Sequence, residues 1–286
     1  MYYLLIILST IMFAGTFVFQ DNYRKIQGNS VYISVRYSLI CSASGILPLF
    51  LLNRFSFECT PFSLIMAMLS VANGFGFTYC SFKALGRINV SMYSLYCMLG
   101  GMLLPFIQGI IFFDEKFTLA KIICLVFVTV SLLLSVNYRE SGGGARFYAG
   151  VFILNGMAGV LTKIFTSAPY PKTDAESYSI LCAICSTVAY AVLFWVLSQK
   201  NKEAPRETLA SVGFATASGI INRIANYILV VALLYVDSSV QYPLVTGGTI
   251  VVSTLIGFFK KQKPAIKEIL SVMLAFLGML ALFIIK

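Results

Sequence analysis

The chain contains no histidine. That removes imidazole metal sites, histidine triads and histidine proton relays. Charge is scarce as well: 11% of the 286 residues are Asp, Glu, Lys or Arg, against about 25% in a soluble domain. A soluble fold of this length exposes surface that needs far more charge, so an ordinary soluble enzyme is excluded. No bond-making activity, cofactor or metal is expected. Hydrophobic residues make up 59% of the chain, with a mean hydropathy of +0.87. The apolar runs are long and lack period-2 alternation, which argues against a β-barrel. An all-α, polytopic membrane protein remains.

Ten apolar segments follow, each close to the roughly 20 residues a spanning helix needs. They are 2–19, 30–52, 62–85, 89–113, 117–136, 147–168, 176–197, 208–235, 239–259 and 265–285. Too little chain is left for a separate soluble domain. The N-terminus has no basic leader region and no clear cleavage site, so the first segment is expected to be retained as a helix. Gly142, Gly143 and Gly144 lack the flanking pattern of a phosphate loop and read as part of a linker, 137–146. Cys182 and Cys185 form a CxxC within an apolar segment and read as small packing residues.

Net charge is +10, and in such a chain it reflects basic cytoplasmic loops, not nucleic-acid binding. Thirteen Lys and Arg lie in the odd-numbered connections and five on the face carrying both termini. Three more, Arg36, Lys163 and Arg223, fall within apolar segments. The asymmetry predicts both termini outside the cytoplasm, in a protein of the cell membrane.

The linker separates residues 1–136 from 147–286, five segments from five. Weak matches recur at offsets of 144 to 149: Ala14-Gly15 on Ala158-Gly159, Asn73 on Asn222, and Gly100-Gly101 on Gly247-Gly248. Five is odd, so two related halves must be inverted in the bilayer, the plan of many secondary transporters. Arg36-Tyr37, Asp114-Glu115 with Phe117-Thr118, and the run from Ser91 to Phe113 with Gly100-Gly101 and Pro105 carry a resemblance. In these features the chain resembles the ten-helix EamA-type branch of the drug/metabolite transporter superfamily. Lys260-Lys261-Gln262-Lys263 departs from that pattern, standing where the second half should repeat the acidic turn. The resemblance implies a central cavity lined by segments 1–4 and 6–9, with segments 5 and 10 peripheral.

Arg223 is the strongest candidate site residue. It lies deep in the eighth segment, where arginine costs roughly 2.5–3.5 kcal/mol to insert. No Asp or Glu lies at matching depth in any segment, so an anion or carboxylate contact competes with a structural role at helix-end carbonyls. Asn222, Asn226 and Tyr227 lie beside it. Asn73 stands at the matching place in the first half. These polar residues line a cavity or make interhelical hydrogen bonds. Asn155 and Lys163 are candidates for an outward vestibule, and snorkelling is the alternative for Lys163. Tyr93, Tyr96 and Tyr242 are candidate aromatic lining or interfacial belt residues. Snorkelling accounts for Arg36, and Pro48, Pro105 and Pro243 are bends or static kinks.

The expectation is a secondary transporter, an exporter or exchanger of small organic metabolites working by alternating access. The family resemblance favours zwitterionic or anionic solutes such as amino acids. The first segment carries no charge. It therefore lacks the intramembrane glutamate of the small multidrug-resistance branch, which argues against proton-coupled export of cationic drugs by that route. A flippase for a lipid-linked intermediate and a non-transporting membrane interaction protein are the alternatives. The expected partners are a small solute and membrane lipid, with the oligomeric state left open.

Overall fold

A computed structural model of the chain describes residues 2–28, 30–85, 90–134, 145–199, 207–259 and 266–284. Among them the structure is helical throughout, with no strand. The helices are α1 (Tyr2–Gln27), α2 (Val31–Ser44), α3 (Ile46–Leu52), α4 (Pro61–Leu85), α5 (Val90–Phe112), α6 (Leu119–Leu134), α7 (Ala145–Ser167), α8 (Ala175–Ser198), α9 (Leu209–Leu233), α10 (Ser238–Phe259) and α11 (Ile266–Ile284). Among the described residues six helical stretches are long and apolar enough to cross a membrane, taking α2 and α3 as one. The expected linker at 137–146 lies outside the described residues up to 144, and 145–146 open α7.

Two differences from the sequence expectation stand out. The second apolar segment is not one rod: it breaks at Gly45 into α2 and α3, with Pro48 in the first turn of α3. The first helix runs well past Phe19, through the polar residues from Gln20 to Gln27. Tyr23 and Gln27 find hydrogen-bond partners there, described below, so those polar side chains need no aqueous loop. Gly28 then ends the helix with φ +91, and its N–H donates to the Arg24 carbonyl at 2.8 Å. Glycine takes that left-handed conformation without a Cβ penalty.

The chain divides into two compact units, and each draws on both halves of the sequence. The first comprises Met1–Ile11, Ala72–Ala168 and Ala232–Lys286. Its core gathers Met102, Cys124, Val128, Phe147, Val151 and Ala275. A side chain at Gly100 would run into the Phe152 carbonyl, and one at Gly156 into Gly100, so these glycines let α5 and α7 touch backbone to backbone. Ser131 and Ser271 exchange buried hydrogen bonds between α6 and α11, at 2.7 Å and 2.9 Å to each other's carbonyls.

The second unit comprises Met12–Val71 and Pro169–Val231. Tyr23, Ile33 and Ala215 form one cluster of its core, and Leu49, Ile180 and Ala183 another. Asp174 caps α8 by accepting from the Ser177 N–H at 2.6 Å, which satisfies one of the helix's free amides.

Candidate functional site

The first unit buries an acidic anchor. Glu115 follows Asp114, which adopts φ 50 and turns the chain back after α5. An aspartate tolerates that left-handed conformation better than most side chains. The Glu115 carboxylate, 4% exposed, accepts from the Ser238 N–H and Oγ at 2.9 Å each, from the Ser239 N–H at 2.9 Å and from the Ser239 hydroxyl. These are the free amides at the start of α10, where the helix dipole also favours a negative charge. Lys163 of α7 completes the cluster, its Nζ 2.8 Å from Glu115 Oε1 and over the Phe113 ring at 5.3 Å. Burial works to raise the Glu115 carboxyl. The Lys163 ammonium and the Ser239 groups outweigh it and hold the carboxyl down at about 2. Nearby, Lys121 pairs with the half-exposed Asp237 at 2.8 Å.

Lys163 therefore neither snorkels nor faces an open vestibule. Its side chain is 10% exposed and engaged with a carboxylate from the α5–α6 turn. Sequence reasoning noticed Asp114-Glu115 only as a family signature. Nothing in spacing links residue 115 to 163 or 238, so the anchor was invisible there.

The other candidates of this unit serve helix contacts. Asn73 Nδ2 donates to the Leu154 carbonyl at 2.8 Å, and Asn155 Nδ2 to that of Cys97 at 2.6 Å. Tyr242 donates to the Gly159 carbonyl at 3.1 Å, and Tyr96 stacks on Tyr148. Tyr93 lies in α5, but its side chain is outside the described set.

The second unit holds two cationic centres of different kinds. Arg36 is fully engaged. Its Nε lies 2.6 Å from Glu207 Oε1, its Nη2 donates to Gln27 at 2.8 Å, and the guanidinium sits 5.5 Å from the Tyr32 ring centroid. Tyr23 also donates to Glu207 at 2.6 Å, while Gln27 donates to Ser211 at 2.9 Å. Snorkelling is thus not what places Arg36: the network just before α9 holds it in the interior. Glu207→Gln keeps the shape but removes the charge. We expect it to lower stability by about 1–3 kcal/mol, the scale of charge-assisted hydrogen bonds in a partly buried site. Thermal unfolding of the detergent-solubilised protein measures this, and an unchanged midpoint would show the network to be dispensable.

Arg223 is the contrast. It stands 14 residues into α9 and 10 from its end, roughly 21 Å and 15 Å at ~1.5 Å per residue. Its aliphatic stem lies against Gly45, where a Cβ would collide with Arg223 Cγ. The α2–α3 break is thus filled by the arginine stem. The residue is half-buried, and among the described residues no hydrogen bond or ion pair reaches its guanidinium. Among the described residues no carboxylate pairs with it.

Around Arg223, the sequence candidates separate. Asn226 Nδ2 donates to the Asn222 carbonyl at 2.8 Å and to its Oδ1 at 3.0 Å, so the Asn226 amide is engaged by Asn222 on a partly exposed face. Tyr227 donates to Glu176 Oε1 at 2.6 Å. Glu176 occupies the first turn of α8, six residues or roughly 9 Å along the helix from Cys182.

No family model and no curated protein matches this chain. A solved structure described as "Crystal structure of protein" is similar to it, with a TM-score of 0.74 and 17% identity over 99% of this chain and 98% of that one. Likeness at this identity shows the fold alone, and it extends over essentially the whole chain.

Proposed function

We propose that the protein is a secondary membrane transporter, an exporter or exchanger of small zwitterionic or anionic metabolites such as amino acids. The reading places it in the EamA-type branch of the drug/metabolite transporter superfamily, in the cell membrane, built as two inverted five-helix repeats. Solute crosses by alternating access.

One observation carries this reading: among the described residues, no protein anion neutralises a guanidinium near the middle of a membrane-scale helix. An arginine kept at such a depth costs free energy, and the cost is offset when a substrate supplies the anion. A purely structural arginine finds a partner inside the protein, as Arg36 does with Glu207. The test is a thermal-shift screen against a metabolite library, followed by liposome uptake of the hits. A saturable uptake that Arg223→Gln removes supports the reading. Uptake absent for every stabilising solute counts against it.

Thirteen basic residues on one face against five on the other lead us to expect both termini outside the cytoplasm. A C-terminal alkaline phosphatase fusion should be active and a cytoplasm-only reporter silent. The reverse pattern overturns the orientation.

A further inference from the structure

We propose that the turn joining α3 to α4, residues 53–60, is a lipid anchor. Phe55 and Phe57 enter the interfacial layer of the bilayer, and the Arg54 guanidinium takes a lipid phosphate. This goes beyond the transport reading and needs neither Arg223 nor a solute.

The turn is strained and firmly held. Arg54 and Phe55 both adopt left-handed backbone, at φ 51 and φ 58, which the Cβ of an L-residue disfavours and glycine takes freely. The Arg54 N–H donates to the Leu51 carbonyl at 3.2 Å and the Phe55 N–H to that of Phe50 at 2.8 Å. These two bonds close a helix whose next residue is left-handed. Asn53 Nδ2 donates to the Ser56 carbonyl at 2.5 Å and to Ser177 Oγ at 3.2 Å, and the Glu58 N–H donates to the same Ser177 oxygen at 3.2 Å. The turn is thereby fastened to the first turn of α8. What this frame displays is aromatic. Phe55 is 64% exposed and Phe57 41%, their rings 6.3 Å and 6.0 Å from that of Phe50. At the start of α4, Phe62 packs on the exposed Tyr170 at 5.4 Å. Arg54 is exposed beside Phe55, and among the described residues no ion pair engages it.

Phenylalanines held outward on a strained turn are unfavourable in water. Lipid removes that penalty. The turn follows directly on Val31–Leu52, a stretch long and apolar enough to cross a membrane, so it stands where hydrocarbon gives way to headgroups. Aromatic rings favour that level, and a long basic side chain reaches phosphate from it. A guanidinium matches two phosphate oxygens with parallel hydrogen bonds.

Trp195 is the sole tryptophan of the chain, so one substitution clears the background. The full chain carrying Trp195→Phe with either Phe55→Trp or Phe57→Trp is reconstituted in phosphatidylcholine vesicles. The vesicles contain lipid brominated near the glycerol end of the acyl chain, or near its tip, or neither. We expect emission shifted to the blue of a tryptophan in water, a larger loss of emission with the shallow bromines than with the deep ones, and protection from aqueous acrylamide. Glycine suits the left-handed backbone at position 54, so an arginine with only a structural role predicts that Arg54→Gly leaves the probe unchanged. We expect Arg54→Gly to weaken quenching by the shallow bromines, and Arg54→Glu to weaken it further, because phosphate repels a carboxylate. A probe with water-like emission, open to acrylamide and untouched by either lipid, overturns the proposal. Stronger quenching by the deep bromines does so too, since it places the turn in hydrocarbon. A probe unmoved by Arg54→Glu overturns the phosphate contact. If Phe55→Trp does not fold, the Phe57→Trp chain carries the same test.

Discussion

Replacing Glu115 by alanine should cost about 3–5 kcal/mol of stability, the range for breaking a buried ion pair by removing one partner. Two losses combine. The Lys163 ammonium, 2.8 Å from the carboxylate and 10% exposed, is left in the interior without its anion. The Ser238 and Ser239 amides at the start of α10 lose the acceptor that caps them. The double variant Glu115→Gln with Lys163→Met should recover much of the loss, because no charge is then buried unpaired. A double variant as unstable as Glu115→Ala would assign the cost to capping alone. Acid should reproduce the effect. With its folded value depressed to about 2 from an ordinary 4.5, the Glu115 contribution is complete above about pH 4.5. It then fades as pH falls toward 2. The stability gap between wild type and Glu115→Gln should therefore be constant from pH 7 to 5 and close below pH 4.5. A gap that widens in acid would contradict the assignment.

Arg223→Gln should reduce transport of a carboxylate solute by roughly 100-fold while leaving the protein folded and inserted. The magnitude follows from one charge–charge contact near mid-span, where a bond to an ionised partner is worth up to about 3 kcal/mol. Glutamine keeps hydrogen-bonding capacity but no charge, and it removes an insertion cost of roughly 2.5–3.5 kcal/mol. Expression and thermal stability should hold or rise, which separates loss of function from loss of fold. Lysine at this position should retain more activity than glutamine, though it lacks the two-pronged geometry that matches a carboxylate. The readout is initial uptake rate in liposomes against solute concentration. Normal kinetics in Arg223→Gln would return the residue to a structural role against Gly45. A variant that fails to insert would show the stem filling the α2–α3 break to be its main duty.

By itself the sequence determined the helical fold and the presence of several helices long and apolar enough to cross a membrane. The physical reason is that hydrophobic length and charge exclusion are local properties, and the bilayer sets the length scale. It also singled out Arg223, because an ionisable residue deep in an apolar run stands out without knowledge of its neighbours. The broken second segment was only half visible: Gly45 and Pro48 are in the sequence, but only the stem of Arg223 lying against Gly45 distinguishes a filled break from a continuous helix. The polar continuation of α1 to Gln27 was read as loop because its partners, Arg36 and Glu207, come from elsewhere in the chain. For the same reason three cations that look alike in sequence have three different fates. Arg36 meets Glu207, Lys163 meets Glu115, and Arg223 meets no carboxylate among the described residues. Pairing of charges depends on which residues remote in sequence the fold brings within about 3 Å. Tertiary packing alone decides that.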